Sequence, residues 1–207
     1  MKLVEMTTEN YLKLAASATP APGGGSASAL YGAQGIALIG MVAKLTAGKR
    51  KYSDFKEKCE QVALEADEIT EKLYGQIDAD TDAYNRIADS FKLPKNTEEE
   101  KNIRKAAIQS ATVYATEVPL NTMRMGVQGL RCAEQLIENY NTNCASDVGC
   151  GVYGMLSCVR GAWLNVLINT EGMADNLASP FKAEGSELLK TAESFAAALH
   201  EAVLRQM

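Results

Sequence analysis

The chain has one histidine, His200, close to the C-terminus. A lone imidazole excludes a multi-histidine zinc site and makes a Ser-His-Asp-type relay a poor reading, so no metal is expected. Cysteines are few and odd in number: Cys59, Cys132, Cys144, Cys150 and Cys158. They form no CxxC pair, which leaves neither a disulfide framework nor a zinc ribbon. A reducing, cytoplasmic setting follows, and the opening MKLVEMTTENYLK lacks the apolar core of a signal peptide. A basic excess is also missing. With 21 Lys+Arg against 26 Asp+Glu the net charge is −5, which argues against a nucleic-acid partner. No Pro/Gly/Ser linker divides the chain, so residues 1–207 read as a single domain. Leu14 to Ala43 carries no charge and is long enough to span a bilayer. Pro20, Pro22, several glycines and Gln34 interrupt it, so it reads as a loop followed by a buried helix, with no membrane partner.

The organising stretch is Pro20 to Tyr52. Pro22 leads into Gly23-Gly24-Gly25 and Ser26, and the stretch closes on Lys49-Arg50-Lys51. Ser26 is placed to cap a helix of about Ser26 to Ala47. Free N–H groups at such a helix start, with the positive end of its dipole, form a cradle for an anion or a carbonyl. Gly32, Gly35 and Gly40 inside that helix call for close approach of another helix or of a ligand, because each costs roughly 1 kcal/mol relative to alanine.

No strand-like alternation persists anywhere. The pattern predicts an all-α, antiparallel bundle of about five long helices that suits a dimer. A short helix opens the chain, from Thr7 to Ala18. Tyr52 to Phe91 reads as a long helix broken near Gly75, with the seam Leu73, Ile77, Asp80, Tyr84, Ile87, Phe91. Asp80 sits in that seam, where a carboxylate must be paired, hydrogen-bonded or protonated. Asp78 and Asp82 flank it, and clustered carboxylates raise a pKa. Thr97 and Glu100 form a capping box, and Pro119 falls inside the helix that follows and should kink it. A further helix starts near Ser146-Asp147. Its core face is Val148, Val152, Met155, Val159, Ala162, Val166. Its other face, Asp147, Gly151, Gly154, Cys158, Gly161, Asn165, Asn169, is a trough of small residues with polar ends. Either a flat ligand or a neighbouring helix fits it. Ser179-Pro180 reads as the start of the last helix.

These blocks together resemble the cyclodeaminase/methenyltetrahydrofolate cyclohydrolase family. Its members occur as stand-alone short proteins and as the C-terminal half of formiminotransferase-cyclodeaminase. The resemblance rests on PAPGGGS, on MVAKLTAGKRKY, on IDADTDAY from Ile77 to Tyr84, on FKLPK, VPL and SDVG, and on GAWLNVLIN from Gly161 to Asn169. The blocks come in family order and cover nearly the whole chain. Ala21 stands where the family often has threonine. The resemblance implies a helical homodimer that binds a tetrahydrofolate derivative as substrate, with no tightly bound cofactor. It places Pro22, Gly23, Gly24, Gly25, Ser26, Asp78, Asp80, Ser146 and Asp147 at the site.

The implied chemistry suits these residues. The methenyl group of 5,10-methenyltetrahydrofolate is a delocalised cation that buried carboxylates attract, and a carboxylate also serves as base for the attacking water. Asp80 or Asp147 is the expected acid/base, with Asp78 as its partner. Asn165 and Asn169 are expected to orient the pterin, and Lys44, Lys49 and Arg50 to face the glutamate tail. A chain without a formiminotransferase half favours cyclohydrolase. Cyclodeamination of 5-formiminotetrahydrofolate is the alternative, and a non-catalytic folate-binding module or scaffold the third.

Overall fold

The computed structural model describes residues 2–207. Six α-helices carry the fold: α1 (Thr8–Ala15), α2 (Gly24–Ala47), α3 (Lys56–Phe91), α4 (Glu98–Leu136), α5 (Ala145–Thr170) and α6 (Asp175–Leu204). Among the described residues there is no strand, in agreement with the all-helical expectation. Five helices are long, and α1 is a short tether capped by Thr7, whose hydroxyl accepts from the Asn10 N–H at 3.2 Å.

α2 is the central helix. It runs antiparallel to α3, with Ser26 beside Ile77 and Asp80 at one end and Lys44 beside Asp67 at the other. It also runs antiparallel to α5, with Gly24 beside Asn165, Gly32 beside Cys158 and Gly35 beside Gly151. The core between α2, α3, α4 and α5 is filled by Ile36, Ile39, Leu73, Leu130, Met155 and Val159, all fully buried. α2 and the segment Thr142–Thr170 are long and apolar enough to cross a bilayer, with mean hydropathy 1.3 and 1.2. Thirteen residues of α2 are buried within the bundle.

The trough on α5 is occupied by a helix. A Cβ on Gly154 would lie 2.9 Å from the Gly35 Cα, and one on Gly161 would lie 2.3 Å from the Ser28 Oγ. Small residues on both partners let the two backbones meet. Cys158 lies wholly inside this contact, and burial pushes its thiol up to about 12.

Several boundaries differ from the sequence expectation. α2 starts at Gly24, with Gly23 as its N-cap, so Ser26 is not the cap residue. α3 is continuous through Gly75, where an added Cβ would meet nothing within 4 Å. α6 starts at Asp175, a turn and a half before Pro180, behind an Ala174 N-cap that makes no side-chain bond. The Thr97–Glu100 capping box is present as expected, and α4 runs through Pro119 as one helix.

α3 and α4 outrun α2. From Asp80, beside the α2 start, to Phe91 is about 16 Å of helix at 1.5 Å per residue. The overhang explains why the seam opens to solvent, with Tyr84 44% and Phe91 55% exposed.

Candidate functional site

The start of α2 is capped from another helix. Asp80, on α3, accepts the Ser26 backbone N–H at 2.9 Å through Oδ2. The Ser26 hydroxyl donates to the Ile77 carbonyl at 2.8 Å and lies 3.1 Å from the same Asp80 oxygen. One of the orphan donors of the α2 N-terminus is thus satisfied by a carboxylate remote in sequence, and the positive end of the helix dipole faces that carboxylate. The carboxyl group presses directly on Gly25. A Cβ there would lie 2.0 Å from Oδ1, 2.5 Å from Cγ and 2.8 Å from Oδ2. Glycine at 25 is therefore a condition for Asp80 to occupy its place.

Burial raises the Asp80 pKa above the ordinary carboxylate value, and the two Ser26 donors pull partly against that rise. The result is a carboxyl group that exchanges a proton nearer neutrality than a solvated aspartate does. Its Oδ1 makes no hydrogen bond among the described residues, and Asp80 lines a cavity of about 160 Å³. Pro20, Ala21, Gly23 and Gly24 form one wall, Ala83, Tyr84 and Ile87 of α3 another, and Ala115, Asn165 and Asn169 the third.

The two asparagines are held by backbone carbonyls. Asn165 Nδ2 donates to the Gly161 carbonyl at 2.9 Å. Asn169 Nδ2 donates to the Ala115 carbonyl at 2.6 Å. That second bond has its cause in Pro119. A proline has no N–H, so the carbonyl four residues back, on Ala115, loses its helical donor, and Asn169 takes it. Both amides spend their nitrogens on protein and keep their Oδ1 atoms as acceptors beside the cavity.

The structure thus brings together Gly23, Gly24, Gly25, Ser26, Asp80, Asn165 and Asn169, with Pro22 buried behind the loop. The other expected site residues lie elsewhere. Asp78 accepts the Leu3 backbone N–H at 2.6 Å and holds the N-terminal segment. Asp82 is exposed on α3. Lys44 donates to both oxygens of Asp67 at 2.7 and 2.9 Å. Lys49 donates to Asn141 Oδ1 at 3.1 Å, and Arg50 is exposed beside it. Exposed Ser146 and half-buried Asp147 open α5 at that same far end, about 27 Å of helix from Asn165. Within one chain Lys44, Lys49, Arg50, Ser146 and Asp147 lie at the opposite end of the bundle, while Asp78 and Asp82 stay on α3 next to Asp80. Tyr84 and Ala115 line the cavity without having been singled out as site residues in the sequence. Ala115 was reachable by the rule that a helical proline frees the carbonyl four residues before it.

The family model described as formiminotransferase-cyclodeaminase matches residues 7–187. A methenyltetrahydrofolate cyclohydrolase of Methylorubrum extorquens is 38% identical over 200 residues, which is 95% of this chain and 93% of that protein. A formimidoyltransferase-cyclodeaminase of Mus musculus is 31% identical over 175 residues, 84% of this chain. The match takes in 32% of the mouse protein, so this chain spans about a third of that relative. A crystal structure of formiminotetrahydrofolate cyclodeaminase from Thermotoga maritima matches with a TM-score of 0.82 and 25% identity over 99% of this chain and 97% of the other.

Proposed function

The chain belongs to the formiminotransferase-cyclodeaminase family, and we propose that it hydrolyses 5,10-methenyltetrahydrofolate to 10-formyltetrahydrofolate at the cavity beside Asp80. One observation carries this reading: a half-buried carboxylate of raised pKa stands at a helix N-terminus, keeps one oxygen without a hydrogen-bond partner among the described residues, and lines a cavity that two fixed amides border. The Methylorubrum extorquens relative, matched over 95% of this chain and 93% of its own length, bears the name of that activity.

The chemistry follows from the groups present. Ionised Asp80 attracts the methenyl cation and takes a proton from the water that attacks its one-carbon centre. The tetrahedral adduct then collapses. Its hydroxyl becomes the formyl carbonyl and releases a proton, the bond from carbon to N5 breaks, and protonated Asp80 returns its proton to N5. The Asn165 and Asn169 Oδ1 atoms accept from the donor edge of the pterin. A cavity of about 160 Å³ holds only the reacting end of a folate, so the aminobenzoyl-glutamate end lies outside it.

The site also suits the second reaction. In cyclodeamination N10 attacks the formimino carbon, and Asp80 supplies a proton to the departing ammonia. The names of the mouse and Thermotoga relatives favour this reading. Supplying each substrate to the purified protein separates the two. Loss of the methenyl absorbance means hydrolysis, its growth from 5-formiminotetrahydrofolate means cyclodeamination, and silence with both refutes the proposal.

The same reading includes a homodimer. Tyr31, Met41 and Leu45 of α2 and Tyr153, Leu164 and Ile168 of α5 are exposed apolar side chains. A two-fold axis near Gly35 and Gly154 on that face would set the Ser146-Asp147 pole of one copy beside the Asp80 cavity of the other, which is how Asp147 would enter the reaction. Light scattering that finds a monomer under active conditions would refute it.

A further inference from the structure

α1 is eight residues long, below the length at which a helix holds by itself. Most of its side chains face solvent, and Tyr11 is its one buried residue. The segment is fastened to a single stretch of α3. The Leu3 backbone N–H donates to Asp78 Oδ1 at 2.6 Å. Leu3 and Met6 pack with Tyr11 against Ile77 of α3 and Ala29 of α2. Ile77 is the residue whose carbonyl accepts the Ser26 hydroxyl, and it lies one turn before Asp80. The Tyr11 ring therefore sits at the α2–α3 contact that also holds Asp80.

Two polar atoms at this corner lack a partner. The Tyr11 hydroxyl is buried and makes no hydrogen bond among the described residues, with Tyr11 only 8% exposed. Buried phenol hydroxyls ordinarily find a partner. Asp80 Oδ1 makes no bond either, since the contacts to Ser26 fall on Oδ2. One atom is a donor and the other an acceptor. Burial, followed by the Tyr31 and Asp80 charges, holds the Tyr11 pKa above the ordinary phenol value. Asp80 is thus near enough for its charge to act on Tyr11, and Tyr11 keeps its proton to donate.

Other ionisable groups around Asp80 are few or engaged. α2 brings Tyr31 and no charge before Lys44. α5 brings the amides of Asn165 and Asn169. α4 brings Ala115, with Tyr114 beside it under the Arg86 guanidinium, 4.1 Å from its ring centre. On α3 itself, Asp78 is bonded to Leu3, Asp82 is exposed, and Tyr84 lines the cavity. Of these groups, Tyr11 alone is a buried donor without a partner.

We infer that Tyr11 is a positioning residue for Asp80: its hydroxyl donates to the ionised carboxylate and holds it in place to take the proton from the attacking water. The lightly tethered α1 is free to close the remaining gap. A donor to the charged form favours ionisation, and bonds to charged groups are among the stronger hydrogen bonds. The role in the reaction rests on the folate reading above, whereas the bond itself is measurable without substrate.

The test is Tyr11→Phe, which keeps the ring and removes only the hydroxyl. Leu12→Ala, at a residue 58% exposed on the same helix, is the control. Rates of methenyl absorbance loss are taken across a pH series, with thermal unfolding alongside. In Tyr11→Phe the acid limb of kcat/KM should move up by about one pH unit, the size of one bond to a charged group. On the plateau kcat should fall several-fold with KM unchanged, because Tyr11 does not touch the substrate. Its Tm should not drop, and Leu12→Ala should match the wild type throughout. The infrared carboxyl band of Asp80, identified by its loss in Asp80→Asn, is followed against pH without substrate and should titrate about one unit higher in Tyr11→Phe. An unmoved limb and an unmoved band overturn the inference. So does a KM rise at constant kcat, which would make Tyr11 a substrate contact, or a limb that moves in Tyr31→Phe instead. A lower Tm with an unmoved band overturns it too, since the hydroxyl would then serve packing alone. A band that moves in a protein with no turnover of methenyltetrahydrofolate keeps the Tyr11–Asp80 bond and refutes the folate reading.

Discussion

Replacing Gly25 with alanine should disable the site without touching a group that does chemistry. The added Cβ would stand 2.0 Å from Asp80 Oδ1, and ordinary contact begins at 3.4 Å. The carboxyl group must therefore retreat by about 1.4 Å. Turning the side chain does not relieve the clash, because Cγ and Oδ2 are also within 2.8 Å of the new methyl. Retreat stretches the bond to the Ser26 N–H and shifts the carboxyl group within the cavity wall. Misplacement of this size costs about a hundred-fold in rate. The overpacked contact costs about 1–3 kcal/mol, which lowers the Tm of a chain of this length by roughly 3–10 °C. Gly75→Ala is the internal control. An added Cβ there meets nothing within 4 Å, so it should stabilise α3 by about 0.5–1 kcal/mol and leave turnover unchanged. Initial rates of methenyl absorbance loss and thermal unfolding at fixed protein concentration test both variants. A Gly25→Ala protein with wild-type kcat and Tm would refute the argument that Asp80 is held against that glycine.

Pro119→Ala restores a helical donor for the Ala115 carbonyl, so Asn169 loses its anchor. The KM should rise several-fold while far-UV circular dichroism stays unchanged. Ser26→Ala removes the hydroxyl that helps to hold the Asp80 pKa down, so the acid limb of the kcat/KM profile should move to higher pH. For stability the sign runs the other way from a surface aspartate. The raised folded pKa favours the protonated carboxyl. Its contribution is present below the unfolded value of about 3.9 and is lost as pH rises through the folded one. Asp80→Asn, which keeps an acceptor for the Ser26 N–H, should therefore gain on the wild type in urea midpoint as pH rises from 4 to 8. Asp80→Ala leaves that N–H without an acceptor and should cost about 1–3 kcal/mol.

Helical periodicity was enough to place the long helices, and the Thr97–Glu100 capping box was readable because both partners are local. The start of α2 was not, because its cap is a carboxylate fifty-four residues further along the chain. Ser26 looks like a cap in sequence, yet its hydroxyl is turned to the Ile77 carbonyl. The start of α6 was hidden for a related reason, since Ala174 carries no capping group and Ser179-Pro180 imitates a start. Asp80 stood out as a carboxylate in an apolar seam, and the structure gives that seam position a physical purpose at the α2 terminus. The small face of α5 could not be resolved from its own residues. Glycines that admit a ligand and glycines that admit a helix look alike until Gly35 is set against Gly154. Asn165 and Asn169 lie at the end of that face where α2 begins, and there alone the trough opens onto the cavity.

The most direct measurement is methenyltetrahydrofolate hydrolysis by wild type and Asp80→Asn across a pH series, against a buffer blank. The account requires acceleration by the wild type with an acid limb above the ordinary carboxylate range, and loss of that acceleration in a variant that unfolds no more easily. Hydrolysis that persists in Asp80→Asn with an unchanged pH profile would contradict it.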